Sequence, residues 1–171
     1  MCQSLRVPVT TFRPRESQRR AWHKNQPSVT LRIGSPYASP EKRDLFARFQ
    51  QHGQEAKGWP ADVGDVLSML VANPFPTEEW CYYLDDRLIG VGYVDALPEG
   101  LSAIYFFHDP AEGHRSLGTY NVLSILASAR QRGLPHVYLG YYVEGCRSLD
   151  YKARFRPNEV LSGDGNWQSF R

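Results

Sequence analysis

Residues 88–107, LIGVGYVDALPEGLSAIYFF, and residues 116–132, SLGTYNVLSILASARQR, decide the fold. The first stretch contains two runs of aromatic and β-branched residues separated by LPEG, which predicts two antiparallel strands joined by a turn. A similar run at 80–84 precedes them. The second stretch is apolar on most sides and is followed by Gly133, which predicts a long helix covered by neighbouring elements. We therefore predict a three-stranded meander followed by a central helix.

Another apolar run follows this helix and predicts a buried strand at 136–143, before a helical turn at 147–155 that ends near Pro157. A meander, a central helix and one more strand form the middle of an acetyltransferase-like (GNAT-like) α+β fold. In that fold the sheet is mixed and largely antiparallel. Acyl transfer does not follow from the fold alone, because one fold hosts many functions.

The first half of the chain has shorter and less regular patterns. Pro36 and Pro40 mark a connection there, and we expect a domain boundary near residue 35. The predicted elements are strands at 5–12 and 29–33, a short helix or turn at 17–25, and helices at 41–52 and 63–72.

The composition is that of a globular chain, with 171 residues of which 42% are hydrophobic. No apolar run approaches the roughly 20 residues that span a bilayer, so we expect no membrane association. The three cysteines form no CxxC pair and leave an odd count, which favours reduced thiols in a cytoplasmic protein.

Positive charge is concentrated near the beginning of the chain. Residues 1–32 contain seven Arg and Lys side chains against one acid, Glu16, although the whole chain carries only +2. Such a basic segment with interleaved aromatic residues is a candidate surface for a phosphate backbone, and a solvated basic edge is the alternative. The candidate tRNA-binding residues are Arg13, Arg15, Arg19, Arg20 and Lys24.

Ordered motifs along the chain resemble one protein family. They are RVPV at 6–9, FRPRESQRR at 12–20, residues 88–107, SLGTYN at 116–121, LGYYVEGC at 139–146 and YKARFRP at 151–157. Together they resemble the arginyl-tRNA–protein transferases and their bacterial leucyl-transferring relatives. Several motifs in matching order are far more specific than one short pattern. The YYVEGC form is similar to that of the bacterial branch.

The resemblance implies an enzyme that transfers an amino acid from aminoacyl-tRNA to proteins with an N-terminal Asp or Glu and so marks them for N-degron degradation. Leucyl-tRNA is the donor expected of the bacterial branch, and arginine as donor stays open. Residues 36–171 would be the aminoacyltransferase catalytic domain, and residues 1–35 the remnant of an N-terminal domain with its basic arm. We expect a monomer.

Family members usually begin with a further segment that contains a cysteine cluster for an iron–sulfur centre or metal. Cys2 resembles the last cysteine of that cluster. One thiol cannot complete a tetrahedral site. We therefore expect no metal site and no cofactor in this chain, and an iron–sulfur cluster only if a cysteine-rich segment precedes it.

The implied reaction is aminolysis of an ester, which needs no enzyme nucleophile because a useful fraction of α-amines is neutral near pH 7. Donors aimed at the developing oxyanion can lower most of the barrier. Tyr141 is our candidate oxyanion donor, and Glu144 could hold the incoming ammonium and relay its proton. Asp109 is a weaker candidate for the same relay. The alternative is that the strand tyrosines only pack.

Substrate contacts are expected in two places. Arg147, Lys152, Arg154 and Arg156 form a cationic group suited to the acceptor carboxylate, unless they only pair with acids such as Asp150. The start of the central helix is a predicted anion site. Its candidate residues are Arg115, Ser116, Tyr120 and Asn121. Ser116 could instead cap the helix. Tyr142, on the predicted strand, could stack on the terminal adenine of the tRNA.

Two alternative functions stay open. The Arg-Ser-Leu-Gly sequence at 115–118 partly matches the loop of CoA-dependent N-acetyltransferases, but Tyr120 occupies a position where those enzymes carry a small residue. The other alternative is a truncated homologue without catalysis that binds tRNA or acidic N-degrons.

Overall fold

The computed structural model describes residues 2–60 and 64–171, without the side chains of Arg147 and Ser148. Its strands are β1 (Cys2–Pro8), β2 (Val29–Gly34), β3 (Thr77–Leu84), β4 (Arg87–Leu97), β5 (Gly100–His108), β6 (His136–Val143), β7 (Glu159–Leu161) and β8 (Trp167–Ser169). Its α-helices are α1 (Glu16–Asn25), α2 (Pro40–Lys57), α3 (Val66–Val71), α4 (Leu117–Gln131) and α5 (Arg147–Asp150). Two 3₁₀ helices, Pro110–Arg115 and Tyr151–Arg154, precede α4 and follow α5.

One mixed sheet contains these strands in the order β2-β3-β4-β5-β6-β1-β7-β8. The β5–β6 pair is parallel, and the other recorded ladders are antiparallel. The α+β class with a largely antiparallel sheet is confirmed. Strands β1 and β2 lie in different halves of this sheet, so the boundary predicted after residue 35 does not separate two sheets.

Helix α4 is central, as predicted. It packs with α1 on one face of the sheet, whereas α2 and α3 cover the other face. Asn121 of α4 turns towards the sheet and is 4% exposed. The Tyr82 hydroxyl donates to Asn121 Oδ1 over 2.8 Å. A Cβ at Gly92 would lie 2.9 Å from the same oxygen, so the glycine makes room for this amide.

Strands β5 and β6 pair only at their beginnings, from Gly100 opposite His136 to Ser102 opposite Tyr138. Beyond this point β5 stays paired with β4, and β6 stays paired with β1. The two strands therefore separate towards their carboxyl ends. We call the gap between residues 103–108 and 139–143 the wedge.

Gly100 closes the narrow end of the wedge. A Cβ there would lie 2.4 Å from the His136 carbonyl oxygen and 2.8 Å from the Tyr138 ring. We expect Gly100→Ala to lower the free energy of unfolding by about 1–3 kcal/mol, since overpacking forces the backbone to shift. Urea denaturation measures this, with Gly34→Ala as control because nothing lies within 4 Å of a Cβ there. Equal effects of the two substitutions would contradict the close approach of β5 and β6.

Several predicted bounds were wrong. The strand predicted at 5–12 ends at Pro8, which has no N–H to continue a ladder, and begins at Cys2. The helix predicted at 41–52 continues to Lys57, and β7 and β8 were not predicted. Residue 63, at the start of the second predicted helix, lies outside the described residues. Across the described ranges, no helix combines the length and apolar character needed to cross a bilayer.

Candidate active site

Main-chain groups of β5 line one side of the wedge. The Asp109 N–H donates to the Ile89 carbonyl of β4 over 2.9 Å. Main-chain groups of successive residues point to opposite edges of an antiparallel strand. The N–H groups of Phe106 and His108 therefore face the wedge, and within the described residues no strand pairs with them there. These groups are candidate donors for an oxyanion.

The connection from β5 to α4 is held by α1. Lys24 Nζ donates to the His114 carbonyl, and Asn25 Nδ2 donates to the Arg115 carbonyl, each over 2.8 Å. Ser116 follows in the left-handed region, with φ of 53°, and its side chain makes no capping hydrogen bond. The alternative prediction that the Ser116 side chain caps the helix was therefore wrong. Lys24 was predicted to bind tRNA, and in the structure it holds this connection through the His114 carbonyl.

Two carboxylates in the same connection are neutralised by arginines, two of which come from distant elements. Asp109 pairs with Arg48 Nη1 over 3.0 Å and with Arg87 Nη1 over 2.7 Å. Glu112 pairs with Arg87 and, over 2.9 Å, with Arg115 Nε. Burial opposes ionisation of both acids, but hydrogen bonds from arginine side chains outweigh it and lower both pKa values.

This ion network corrects two predicted roles. Asp109 is 3% exposed and held by two guanidinium groups, so it is a poor proton acceptor and no candidate for the relay. Arg115 is bound to Glu112 and lies 3.4 Å from Ser28 Oγ, so its charge is already compensated within the chain. Both side chains brace the start of α4.

The network predicts a loss of stability in acid. Because the folded-state pKa values of Asp109 and Glu112 are lowered, their contribution is complete at neutral pH. It is lost as the pH falls from about 5 through the folded-state values. Glu112→Gln should therefore reduce the difference between urea midpoints at pH 7 and pH 3. The exposed Glu55→Gln is the control, and an unchanged difference in Glu112→Gln would contradict the network.

Tyr141, Tyr142 and Glu144 do not converge. The Tyr142 ring is buried and packs 5.2 Å from the Phe170 ring, so it cannot stack on an adenine as predicted. Tyr141 is 63% exposed. The Glu144 side chain is 81% exposed and lies 3.4 Å from Arg171 Nη2. Glu144 therefore lacks a site in which to hold a substrate ammonium, and Tyr141 as an oxyanion donor stays a prediction.

Tyr120 and Asn121 belong to the core. Tyr120 is 5% exposed and packs between Trp22 and Tyr82, with ring centroids 5.5 and 5.8 Å away. Asn121 is engaged by the Tyr82 hydroxyl. Their predicted role in substrate binding was wrong because both lie on buried faces of α4.

The cationic group after β6 lies near the other side of the wedge. Lys152 Nζ donates to the Tyr141 carbonyl over 2.8 Å and would lie 3.7 Å from a Cβ at Gly140. Burial lowers the pKa of Lys152. Arg154 is exposed. Asp150 and Arg154, both described by the structure, do not form the ion pair that was the alternative to a role in substrate binding. Arg156 Nε donates to the Ala153 carbonyl over 3.2 Å.

Helix α1 connects the two 3₁₀ helices that follow β5 and β6. Gln18 Nε2 donates to the Arg154 carbonyl over 3.2 Å near one end of α1, and Lys24 bonds to the His114 carbonyl near the other. The helix therefore extends across the region where the splayed strands end. The predicted tRNA-binding residues Arg13, Arg15, Arg19, Arg20 and Lys24 all lie on α1 or just before it, and Arg19 and Arg20 are exposed.

Sequence reasoning missed an aromatic cavity at the free edge of β5. It has a volume of about 310 Å³ and is lined by Phe49, Gln50, Trp59, Pro60, Tyr105 and Phe106. Helical spacing places Phe46 and Phe49 on one face of α2, which by itself predicts core packing and no cavity. Among the described residues, no three His, Cys, Asp or Glu side chains converge as metal ligands.

Two solved structures with the same fold are named for different activities, a synthetase and an N-acetyltransferase. The C-terminal domain of a putative lysylphosphatidylglycerol synthetase from Agrobacterium fabrum is 12% identical, with a TM-score of 0.62, over 95% of this chain and 60% of that chain. A GCN5-related glucosamine N-acetyltransferase region of a fungal β-N-acetylglucosaminidase is 13% identical, with a TM-score of 0.50, over 99% of this chain and 20% of that chain. At these identities the likeness shows the fold alone, which is GNAT-like.

Residues 41–162 match the family model of the C terminus of arginine-tRNA-protein transferases. Aspartate/glutamate leucyltransferase of Ruegeria pomeroyi is 40% identical over 98% of this chain, which spans 62% of that protein. The enzyme of the same name from Alkalilimnicola ehrlichii is 39% identical over 97% of this chain, which spans 70% of that protein. The chain belongs to the arginine-tRNA-protein transferase family and is similar to its bacterial leucyltransferase members.

Proposed function

We propose that this chain transfers leucine from leucyl-tRNA to proteins that begin with Asp or Glu, acting as a monomer in the cytoplasm. The observation that carries the proposal is the wedge, where unpaired N–H groups of β5 adjoin the start of α4. The names of the relatives, aspartate/glutamate leucyltransferase, support the choice of donor and acceptor.

The reaction joins two substrates in the wedge. The acceptor's α-amine attacks the leucyl carbonyl carbon, a C–N bond forms, and the carbonyl oxygen becomes an oxyanion. The C–O bond to the ribose then breaks, and the proton lost by the amine ends on the departing ribose oxygen. The N–H groups of Phe106 and His108 would stabilise the oxyanion, and the confined geometry would supply the proximity of the two substrates.

The acceptor carboxylate would be bound by the cationic group after β6. Lys152 lies beside Gly140 of β6, and its ammonium has spare donors besides the one given to the Tyr141 carbonyl. Arg154 is exposed one 3₁₀ turn from Tyr151 and offers a planar fork for bidentate pairing.

The tRNA backbone would lie against α1. Arg19 and Arg20 are exposed on this helix, which bridges the connections after β5 and β6. A backbone contact there would bring the 3′ end of the acceptor stem towards the wedge. Arg13 and Arg15 would extend this surface, because they directly precede the helix.

A transfer assay with defined donors tests the proposal. The chain is mixed with leucyl-tRNA and a peptide that begins with Asp, and mass spectrometry measures the addition of one leucine. A peptide that begins with Ala is the control, and arginyl-tRNA and acetyl-CoA are the competing donors. Addition from acetyl-CoA alone would establish an acetyltransferase instead. Saturable binding of leucyl-tRNA without any addition would identify a binding module.

A further inference from the structure

The aromatic cavity lies on the α2 side of β5, at the edge of the strand that borders the wedge. Phe106 contributes both to this cavity and to the main-chain wall of the wedge. The Phe49 and Trp59 rings meet edge to face, with centroids 5.2 Å apart. Aromatic faces on several sides suit a flat, apolar ligand.

Trp59 is fixed in place by its contact with α2. A Cβ at Gly53 would lie 2.0 Å from a carbon of the Trp59 ring, so only glycine admits the indole this close to the helix. The Trp59 N–H donates to the Gly53 carbonyl over 3.3 Å. Lys57 Nζ lies 5.1 Å from the centre of the same ring and places a positive charge beside the cavity.

Gln50 gives the cavity its polar group. The residue is 8% exposed, and its side-chain amide makes no hydrogen bond within the part of the chain that the structure describes. A ligand that fills the cavity would cover this amide, so it must supply the amide with both a donor and an acceptor to avoid the cost of an unpaired polar group. An aliphatic side chain has neither group.

We propose that this cavity binds the adenine base of the 3′-terminal adenosine of aminoacyl-tRNA, a proposal that rests on the proposed function. The rings of Phe49 and Trp59 would hold the flat base, as aromatic side chains do with single-stranded nucleic acids. The Gln50 amide would pair with the 6-amino group and an adjacent ring nitrogen, the pairing that glutamine makes with adenine. Lys57 would face the phosphate side.

The position of the cavity fits the covalent structure of the donor. The amino acid is esterified to the ribose of the same adenosine, so its base must lie within one sugar of the reacting carbonyl. A cavity that shares Phe106 with the wedge meets this condition. The leucyl side chain must also lie near the carbonyl, but it leaves the Gln50 amide unpaired.

Two stable donor analogues test the proposal. They are 3′-leucylamido-3′-deoxyadenosine and the matched compound whose purine lacks the 6-amino group, and calorimetry gives the Kd of each. We expect the wild-type chain to prefer the adenosine compound about tenfold, the discrimination that one bidentate pair with a base supplies. Gln50→Leu should remove this preference. Gln51→Leu, at the neighbouring exposed residue, should keep it.

The ratio of the two Kd values within one variant does not depend on the folded fraction, so a partly unfolded variant still gives an answer. Equal binding of both compounds by the wild type would overturn the proposal. So would a Gln50→Leu variant that keeps the tenfold preference. The proposal would also be overturned if the cavity held the leucyl side chain. In that case, replacing the leucyl group of the analogue by alanyl would raise the Kd, and the wild type would show no preference between the two purines.

The transfer assay separates this proposal from the proposed function. Base preference without leucine addition would leave the cavity assigned and the transferase activity refuted. Leucine addition without base preference would leave the activity established and the cavity refuted.

Discussion

Lys42→Met is expected to lower the free energy of unfolding by about 3–5 kcal/mol, because it leaves a buried carboxylate without its partner. Lys42 and Glu79 are 1% and 2% exposed and form an ion pair between α2 and β3. Lys42 Nζ also donates to the Tyr37 carbonyl over 3.0 Å, and the Tyr93 hydroxyl donates to Glu79 over 3.0 Å. Urea denaturation followed by tryptophan fluorescence measures the loss.

Two further variants make this prediction specific. Replacing both partners, in Lys42→Met with Glu79→Met, should recover most of the loss, since apolar side chains of similar volume avoid the unpaired charge. Arg43→Met is the matched control, because Arg43 forms an exposed pair with Asp65 worth less than about 1 kcal/mol. A Lys42→Met effect as small as the Arg43→Met effect would contradict a buried ion pair.

The pair also concerns the aromatic cavity. Lys42 lies near the start of α2, and the same helix carries Phe49 and Gln50 to the edge of β5. The ion pair attaches this helix to β3, so its removal should weaken binding of both purine compounds together. Gln50→Leu should instead change their ratio.

The middle of the fold could be predicted from sequence because its patterns are local. Runs of aromatic and β-branched residues at 88–107 predict strands, and the apolar surface of 116–132 predicts a covered helix. The three-residue strands β7 and β8 carry too few residues for a period. The wedge depends on a parallel ladder of only three residue pairs between strands that are far apart in the chain, so no local sequence pattern predicts it.

The site was harder to predict because its electrostatics depend on distant partners. Asp109 resembled a catalytic acid at the end of a strand, but Arg48 of α2 and Arg87 of β4 neutralise it. Tyr142 resembled a stacking residue, but its side chain turns into the core. The exposure of the arginines on α1 was easier to predict, since charged side chains are seldom buried unpaired.

If the acceptor and the tRNA bind to separate surfaces, substitutions on the two surfaces should change different quantities, peptide use in one case and tRNA affinity in the other. Lys152→Ala and Arg154→Ala should each lower kcat/KM for a peptide that begins with Asp by about thirtyfold or more, the effect of removing one partner of a hydrogen-bonded charge pair worth at least about 2 kcal/mol. The measurement is leucine addition at limiting peptide. A peptide that begins with Asn is the control, because it lacks the charge and should be affected far less in the same variants.

Leucyl-tRNA should bind to these two variants as it does to the wild type. Arg19→Ala with Arg20→Ala should instead weaken tRNA binding and reduce the salt dependence of log Kd by roughly one unit for each phosphate that is no longer neutralised. Arg20 should contribute less than Arg19, because its guanidinium is paired with Glu16 over 2.6 Å. If all four substitutions weakened tRNA binding equally and left the ratio between the Asp and Asn peptides unchanged, the wedge would have no separate acceptor surface, and the cations after β6 would belong to the tRNA site.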